Sequence, residues 1–558
     1  MKTFKSNHSA RPHKFPADSL SLLTNTMLPS TSALLGGSFA IKKAFCNLAT
    51  AASFATILAS ASIAQMFTDV TTEAGFVNEA KKSWGNPIWG DFNNDGFLDL
   101  IVPTHGLTFS RGPFVYLNNG DGTFTDIRTT CGIQKGPEDD KDWHGFSFGD
   151  YDGDGRLDLY IAEGGDFNHG GTMKRDLLYR GLGNGTFRYV SNTTGIETSM
   201  NRGRCSVFFD YDNDGLLDLF VKNFASANVL YKNNGNGTFT IVPDGGGLRE
   251  ATSGVDHGSI VSMADYDNDG FMDIAMTGDG NAEALYKNMG NGTFVDVTSA
   301  AGIIPRANGK GLGWGDYNND GLLDLYVARG HTTNGGAAGG SLYRNNGDGT
   351  FTDVTTAAGL STTANEWAAV WGDYDNDGFL DVFITNPGHN ATGVGNANLL
   401  YHNNGDGTFT DVAAAEGVAL EDGISLHKTT AWGDYDNDGF LDLVIKDGVG
   451  DSIGLHRLFK NLGNGNHFIK VSLVGTKSNI AGIGARVAVM STNGQSFRQN
   501  NGGGGGEYAS QGSEPLHFGI RAATEATVEV IWPSGVIDRI SGVLADSTLT
   551  ITEGTSPR

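Results

Sequence analysis

Acidic side chains recur in this sequence at a spacing that suits a hard metal ion. The pattern D-x-[DN]-x-D-G-x-x-D occurs seven times, with oxygen-bearing side chains at positions 1, 3, 5 and 9 and glycine at position 6 for a sharp turn. Calcium takes about six to eight oxygen ligands, so a backbone carbonyl at position 7 and water would complete the shell. The sequence therefore predicts about seven calcium ions, one for each loop. The predicted ligands are Asp91, Asn93, Asp95 and Asp99; Asp150, Asp152, Asp154 and Asp158; Asp210, Asp212, Asp214 and Asp218; Asp265, Asp267, Asp269 and Asp273; Asp316, Asn318, Asp320 and Asp324; Asp373, Asp375, Asp377 and Asp381; and Asp434, Asp436, Asp438 and Asp442.

The charge of the chain supports this interpretation. Lys and Arg number 38 against 63 Asp and Glu, which gives a net charge of −25. Carboxylates crowded into one loop repel each other and raise each other's pKa unless a cation is present. Because all seven loops are equally equipped, we expect calcium to be structural and to stiffen each repeat. The negative field also argues against nucleic acid or an anionic membrane surface as a partner.

The loops belong to a longer repeat. A second pattern, L-Y-x-N-x-G-x-G-T-F, keeps step with the first, so one unit of about 57 residues occurs seven times. In the sixth unit, residues 368–371, 381–384, 400–403 and 408–412 have the β-branched, aromatic and alternating character of strands. Asn-Gly and Asp-Gly turns join the last two strands. Four antiparallel strands in each of seven units predict an all-β fold, a seven-bladed β-propeller.

The two ends of the repeat region complement each other. Residues 67–70 match the fourth strand of a unit but have no third strand before them, whereas the seventh unit stops after its third strand at 458–461. We therefore expect 67–70 to complete blade 7 and close the ring.

The region before the repeats has the features of an export signal. Lys42 and Lys43 precede an apolar stretch from Ala44 to Ala64 that ends in small residues, which predicts cleavage after Ala64 and a start at either Met1 or Met27. A membrane anchor is the alternative. The predicted organisation is an N-terminal extension and signal at 1–64, a propeller at 65–465 and a small β-rich domain at 466–558. The mature protein would be secreted or held at the cell surface, with no membrane span.

Two cysteines, Cys131 and Cys205, remain after signal removal. They either form a disulfide in an oxidising compartment or stay as buried thiols.

The repeats resemble a known family. Residues 148–155 (FGDYDGDG) and the WGDY sequences at 371–374 and 432–435 are similar to FG-GAP/VCBS repeats, which build the calcium-bearing propeller of integrin alpha chains and many exported bacterial proteins. Units 3 and 4 depart from the family pattern, with Phe209 and Ala264 in place of the glycine before the first Asp.

The C-terminal region resembles the ASPIC/UnbV domain. The matching segments are 478–479 (SN), 482–487 (GIGARV), 508–511 (YASQ), 516–519 (LHFG) and 532–535 (WPSG). Ile480 stands where the family usually has Arg, so no role of that Arg carries over. Together the two resemblances cover residues 67–554, and they imply an exported calcium-binding interaction protein.

Binding is expected on the end of the ring opposite the acidic loops. There the loops between strands 2 and 3 and the connections between blades vary in length and chemistry, which favours a glycan or an extracellular or cell-surface protein as ligand. The candidate contact residues are His105, Arg111, Trp143, His144, His169, Lys174, Arg175, Arg202, Arg204, His331, Trp367 and His389.

Two other classes of function stay open. One is a secreted polysaccharide-active enzyme, a lyase or hydrolase, although the sequence has no G-x-S-x-G or H-E-x-x-H motif. The other is adhesion through residues 466–558, with the propeller as a spacer.

Overall fold

The computed structural model describes most of the chain from Gln65 onwards. The described residues are 65–76, 85–103, 113–133, 143–164, 175–196, 203–223, 226–248, 260–278, 281–306, 308–330, 339–387, 396–420, 427–447, 456–501 and 512–556. The apolar stretch predicted as a signal lies outside these residues. Within them, no helix has the length and apolar character that a membrane crossing requires.

Each repeat unit forms one four-stranded antiparallel sheet, here called a blade and numbered 1 to 7 along the chain. The strands of blades 1 to 3 are β2 (Ile88–Gly90), β3 (Asp99–Val102), β4 (Phe114–Asn118), β5 (Phe124–Asp126), β6 (Trp143–Gly149), β7 (Asp158–Glu163), β8 (Leu177–Gly181), β9 (Phe187–Tyr189), β10 (Gly203–Phe209), β11 (Asp218–Asn223), β12 (Val229–Asn233) and β13 (Phe239–Ile241). The strands of blades 4 to 6 are β14 (Ile260–Ala264), β15 (Asp273–Gly278), β16 (Asn281–Asn288), β17 (Phe294–Asp296), β18 (Gly309–Gly315), β19 (Asp324–Arg329), β20 (Ser341–Asn345), β21 (Phe351–Asp353), β22 (Ala369–Gly372), β23 (Asp381–Ile384), β24 (Leu399–Asn403) and β25 (Phe409–Asp411). The strands predicted for the sixth unit agree with β22 to β25 to within one residue at each end.

Blade 7 is completed by the N-terminal strand. It consists of β26 (His427–Gly433), β27 (Asp442–Asp447), β28 (His456–Asn461) and, as its outer strand, β1 (Phe67–Asp69). β1 pairs antiparallel with β28 so that Phe67 lies opposite Asn461. The Phe67 side chain is 1% exposed and its ring lies 5.8 Å from that of Tyr374 in blade 6. Burying such a ring contributes about 2–3 kcal/mol, which helps to hold the N-terminal strand in place.

The blades form a ring. The first strands of neighbouring blades contact each other in the order β2, β6, β10, β14, β18, β22 and β26, and β26 in turn contacts β2. The all-β propeller predicted from the repeat is confirmed.

A buried asparagine joins most neighbouring blades, and we call it the clasp asparagine. It is the last residue of the third strand, and its side-chain amide donates to the backbone carbonyl of the residue at loop position 2 in the preceding blade. In blade 5, Asn345 Nδ2 donates to Tyr266 O at 2.8 Å and to Leu323 O in its own blade at 3.0 Å. The clasp bonds to the preceding blade run from Asn118 to Tyr435, Asn233 to Tyr151, Asn288 to Tyr211, Asn345 to Tyr266, Asn403 to Tyr317 and Asn461 to Tyr374.

The C-terminal segment forms two further sheets. A three-stranded sheet contains β32, β29 and β35, and a four-stranded sheet contains β31, β30, β33 and β34. The strands are β29 (His467–Val474), β30 (Arg486–Ser491), β31 (Gly494–Gln499), β32 (Leu516–Arg521), β33 (Glu525–Ile531), β34 (Ile537–Leu544) and β35 (Ser547–Thr552). Their inner faces share one apolar core that includes Ile469, Val487, Phe518, Val528 and Trp532.

Helices are few among the described residues. Two single-turn helices, α1 (Ser191–Thr194) and α2 (Ala413–Glu416), and one 3-10 turn (Pro243–Gly247) follow outer strands. Cys131 and Cys205 are both buried thiols that are not joined in a disulfide, which decides between the two alternatives left open by the sequence.

Candidate metal loops and the surfaces around them

The seven acidic loops connect the first and second strands of the blades, and we call them cage loops. Their sharp turn depends on two residues with positive φ: position 6 is glycine, as predicted, and position 4 is Asn in six loops. Asn and Gly tolerate this left-handed conformation, which other side chains resist. In blade 3, for example, Asn213 has φ 55° and Gly215 has φ 91°.

The backbone of each cage loop holds its own carboxylates in place. In blade 2, both oxygens of Asp150 accept N–H groups, from Asp154 at 3.0 Å and Gly155 at 2.7 Å. Asp158 accepts from Tyr151 N at 3.1 Å and from Gly181 N, on the third strand, at 2.8 Å. Positions 1 and 9 are therefore fixed by the turn and by the neighbouring strand before any ion binds.

The position 3 carboxylate differs, because in blades 2, 3 and 4 one of its oxygens has no hydrogen-bond donor. The Oδ1 atoms of Asp152, Asp212 and Asp267 are buried and make no hydrogen bond. A buried carboxylate oxygen without a partner is costly unless a cation neutralises it. Ligand oxygens from positions 1, 3 and 9 lie within 4.8 Å of one another in blades 2 and 3, and those from positions 1, 3 and 5 do so in blades 4 and 6. These loops fit a small divalent cation.

Burial perturbs the position 9 carboxyls strongly. Asp99, Asp158 and Asp218 are 0% exposed, and burial raises their pKa to about 8 despite the backbone N–H groups that favour the charged form. The neighbouring cage carboxylates raise these pKa values further. Without a cation the loops therefore resist full ionisation at neutral pH.

A basic side chain on the third strand borders most cages. It occupies the x of L-Y-x-N, which is basic in six of the seven copies: Arg180, Lys232, Lys287, Arg344, His402 and Lys460. Blade 1 has Leu117 at this position. Lys232 Nζ contacts Asp212 and lies 2.8 Å from Asp214 Oδ2, so it partly neutralises positions 3 and 5. The acidic pattern alone did not indicate that a basic third-strand residue lies beside the cage.

Cages of adjacent blades are also linked to each other. The position 4 side chain donates to the carbonyl of the position 6 glycine in the next blade, as Asn319 does to Gly378 at 2.9 Å. Equivalent bonds run from Asn213 to Gly270, Asn268 to Gly321, Asn376 to Gly439 and Asn437 to Gly96. These five bonds connect the cages from blade 3 through blade 7 to blade 1 in a partial belt around the axis of the ring, which the single-loop pattern did not predict.

The C-terminal segment covers this belt. Lys470 Nζ lies 2.5 Å from Asp434 Oδ2 in blade 7, and Arg521 Nη2 lies 3.0 Å from Asp377 Oδ2 in blade 6. Arg486 Nη2 donates to Gly321 O in blade 5 at 2.8 Å. A cavity of about 630 Å³ remains between the segment and the ring. The sequence predicted a separate domain but not where it would dock.

The candidate ligand residues predicted for the opposite end fall into three groups. Trp143, His144 and Arg204 are buried, at 2%, 2% and 7% exposure, so the expectation that they are exposed loop residues is wrong. They begin the first strands of blades 2 and 3, where neighbouring blades cover them. Arg175 is exposed and Trp367 is half-buried. The remaining candidates lie outside the described residues: His105, Arg111, His169, Lys174, Arg202, His331 and His389.

Comparison with known proteins agrees with the repeat analysis. The FG-GAP-like repeat profile matches residues 91–161, 210–276, 265–327, 328–384 and 390–445, more than half of the chain, and an FG-GAP repeat profile matches 367–402. The ASPIC and UnbV profile matches residues 475–558.

Cartilage acidic protein 1 is a curated relative in both mouse and human. Each is 25% identical over 69% of this chain, and the matched regions span 60% of the mouse protein and 59% of the human one. Among solved structures, an ancestral GH74 enzyme aligns at 10% identity with a TM-score of 0.45, over 69% of this chain and 49% of that one. On the strength of its repeat and C-terminal matches, the chain belongs to the family of FG-GAP-repeat proteins that carry a C-terminal ASPIC and UnbV domain.

Proposed function

We propose that this protein is an exported, calcium-stabilised β-propeller that acts as a binding, adhesion or matrix-interaction module. Calcium would occupy the cage loops, about one ion in each blade. The observation that carries this part is the buried, unpartnered Oδ1 of Asp152, Asp212 and Asp267, each held beside carboxylates that the backbone has already oriented.

The role of calcium is structural. Each cage joins the first and second strands of its blade, and the position 9 carboxylate also accepts an N–H from the third strand, as Asp218 does from Asn233 at 2.7 Å. An ion bound there would tie three strands together. The belt of position 4 bonds would pass that rigidity to the next blade.

The geometry supports a binding surface at the end of the ring away from the cages. The cage end is covered by the C-terminal segment, through Lys470, Arg486 and Arg521 among others. The loops that differ most between repeats in the sequence are the ones expected at the opposite end. A glycan or an extracellular or cell-surface protein is the proposed ligand there.

An extracellular location completes the proposal. The basic pair and apolar stretch before Ala64 have the form of an export signal. The name of the curated relatives, cartilage acidic protein, accords with a place outside the cell.

The binding role is tested with residues 65–558 on an array of polysaccharides and matrix proteins, in calcium and in EDTA. We expect a calcium-dependent hit that survives substitution of Lys470, because that residue lies at the covered end. A hit that is lost on that substitution would instead place binding in the C-terminal segment, and an array blank in both media would count against the module as proposed. Calcium binding itself is measured separately, by calorimetric titration of EDTA-treated protein.

A further inference from the structure

The cage of blade 6 differs from the other six in its third-strand residue. His402 occupies the position that holds Arg, Lys or Leu in every other blade. A protonated lysine or arginine repels a metal ion, whereas an imidazole nitrogen is a common ligand for transition metals. Blade 6 is therefore the one cage in which this strand offers a nitrogen ligand.

The imidazole points at two cage carboxylates. His402 Nδ1 lies 3.3 Å from Asp381 Oδ1 and 3.6 Å from Asp375 Oδ2. The Nδ1 atom is buried and makes no hydrogen bond. The three ligand atoms lie within 4.8 Å of one another. Ligands that share one zinc ion at about 2.0–2.2 Å stand roughly 3–3.5 Å apart, which is close to the spacing seen here.

The surroundings fix these ligands. Asp381 is 0% exposed and accepts N–H groups from Asn403 at 2.8 Å and Tyr374 at 3.3 Å. The ring of Tyr374 meets the His402 ring edge-on at 6.2 Å. Ligands oriented by such outer contacts bind metal more tightly than free side chains do.

The C-terminal segment engages the other side of the same cage. Gly519 N donates to Asp373 Oδ2 at 3.0 Å, and Arg521 Nη2 lies 3.0 Å from Asp377 Oδ2. Positions 1 and 5 therefore have partners from the C-terminal segment, while positions 3 and 9 face His402. In this blade the third strand therefore adds a ligand atom beside positions 3 and 9.

We propose that Asp375, Asp381 and His402 form a site for one divalent first-row transition metal ion, with zinc as the preferred occupant. One imidazole and two carboxylates suit such an ion, whereas calcium prefers oxygen ligands alone. The inference concerns one cage, where this ion would take the place of the calcium proposed for blade 6, and it does not depend on calcium in the other six.

The test uses the full chain, treated with EDTA and then placed in excess calcium so that oxygen-only sites are filled. Cobalt(II) is titrated and its visible d–d absorption is followed, and zinc is then added as a competitor. We expect one equivalent of cobalt with an intense visible band that zinc displaces. The matched variant is His402→Lys, which installs the residue found in blades 3, 4 and 7, and it should weaken cobalt binding by more than about 100-fold.

A second variant tests the same geometry by gain of function. Lys460→His places an imidazole beside the equivalent carboxylates of blade 7, and we expect a second equivalent of cobalt. Unchanged melting in calcium would show that both variants fold. Equal cobalt binding by the parent chain and His402→Lys would overturn the proposal, as would the lack of any band in excess calcium. Neither result bears on the calorimetric test of calcium binding.

Discussion

The clasp asparagines give the sharpest test of how the ring is held together. Asn345 is 3% exposed, and its amide donates to two carbonyls, Tyr266 O in blade 4 and Leu323 O in blade 5. Asn345→Ala removes both donors and leaves each carbonyl buried without that bond. Each such loss costs about 1–3 kcal/mol, so we expect a decrease of about 2–6 kcal/mol in the free energy of unfolding.

The adjacent residue supplies a matched control. Asn346 is exposed, and its side chain exchanges hydrogen bonds with Thr350 Oγ1 and Thr352 Oγ1, both at 3.0 Å, in the hairpin turn. Because water can replace these partners, Asn346→Ala should cost no more than about 0.5–1 kcal/mol. Both variants remove an asparagine side chain from the same blade and differ mainly in burial.

The assay is urea unfolding of residues 65–558 in saturating calcium, with fluorescence and circular dichroism recorded together. A lower midpoint with an unchanged slope reports a stability change alone. If Asn345→Ala and Asn346→Ala lower the free energy of unfolding by amounts within about 0.5 kcal/mol of each other, the argument that the clasp joins blades is refuted.

Three further predictions concern charge. In EDTA the free energy of unfolding should decrease as pH rises from about 4 to 8. The carboxyls of Asp99, Asp158 and Asp218 have a pKa of about 8 in the fold and about 3.9 in the unfolded chain. Their protonated form therefore stabilises the fold, and it is lost across this pH range. The gain in melting temperature on adding calcium should therefore grow across that range, and a constant gain would contradict this. Lys470→Met should lower the free energy of unfolding by about 3 kcal/mol in EDTA, because it leaves buried Asp434 without its cation, and by less in saturating calcium. Urea unfolding measures both values, and equal decreases in the two media would mean that calcium does not reach Asp434. Burial opposes ionisation of Glu553, but hydrogen bonds from Ser534 and from backbone N–H groups outweigh it and lower the pKa to about 2. The Glu553 carboxylate should therefore stabilise the fold above about pH 4.3, and this stabilisation should be lost as pH falls towards 2. By urea unfolding, Glu553→Gln should lower the free energy of unfolding by about 1–3 kcal/mol at pH 7 and by much less near pH 2.

The features predicted correctly from the sequence are those encoded locally and then repeated. Each blade carries its own turns, its own Asp set and its own alternating strands, so seven copies reinforce one interpretation. The pairing of residues 67–69 with the last blade followed from counting the strands in each unit. One strand was in excess before the first unit, and the seventh unit lacked its fourth strand. Such arguments need no knowledge of long-range packing.

The features that were missed depend on contacts between distant or non-repeated segments. Lys470 reaches Asp434 only because the C-terminal segment folds back over the ring, and nothing in its local pattern indicates this. Trp143 and His144 looked like exposed loop residues because they precede an apparent strand. In the fold they begin that strand and are covered by neighbouring blades. The basic residue of L-Y-x-N, by contrast, was visible in the alignment of repeats and was overlooked because only the acidic positions were weighed.

Departures from the repeat show which contacts a joint between blades can do without. Blade 2 has Gly181 in place of the clasp asparagine, so its joint with blade 1 has no side-chain amide at that point. The aromatic packing found at other joints remains there: Phe92 lies 6.0 Å from Phe148 and 5.4 Å from Phe187, centre to centre, as Tyr266 lies 5.6 Å from Phe351 between blades 4 and 5. The joint between blades 7 and 1, where the last repeat unit meets the first, keeps its clasp from Asn118 to Tyr435 at 2.8 Å. The closing joint is therefore held by the same polar bond as an internal joint, and β1 adds a fourth strand to blade 7 rather than substituting for that bond.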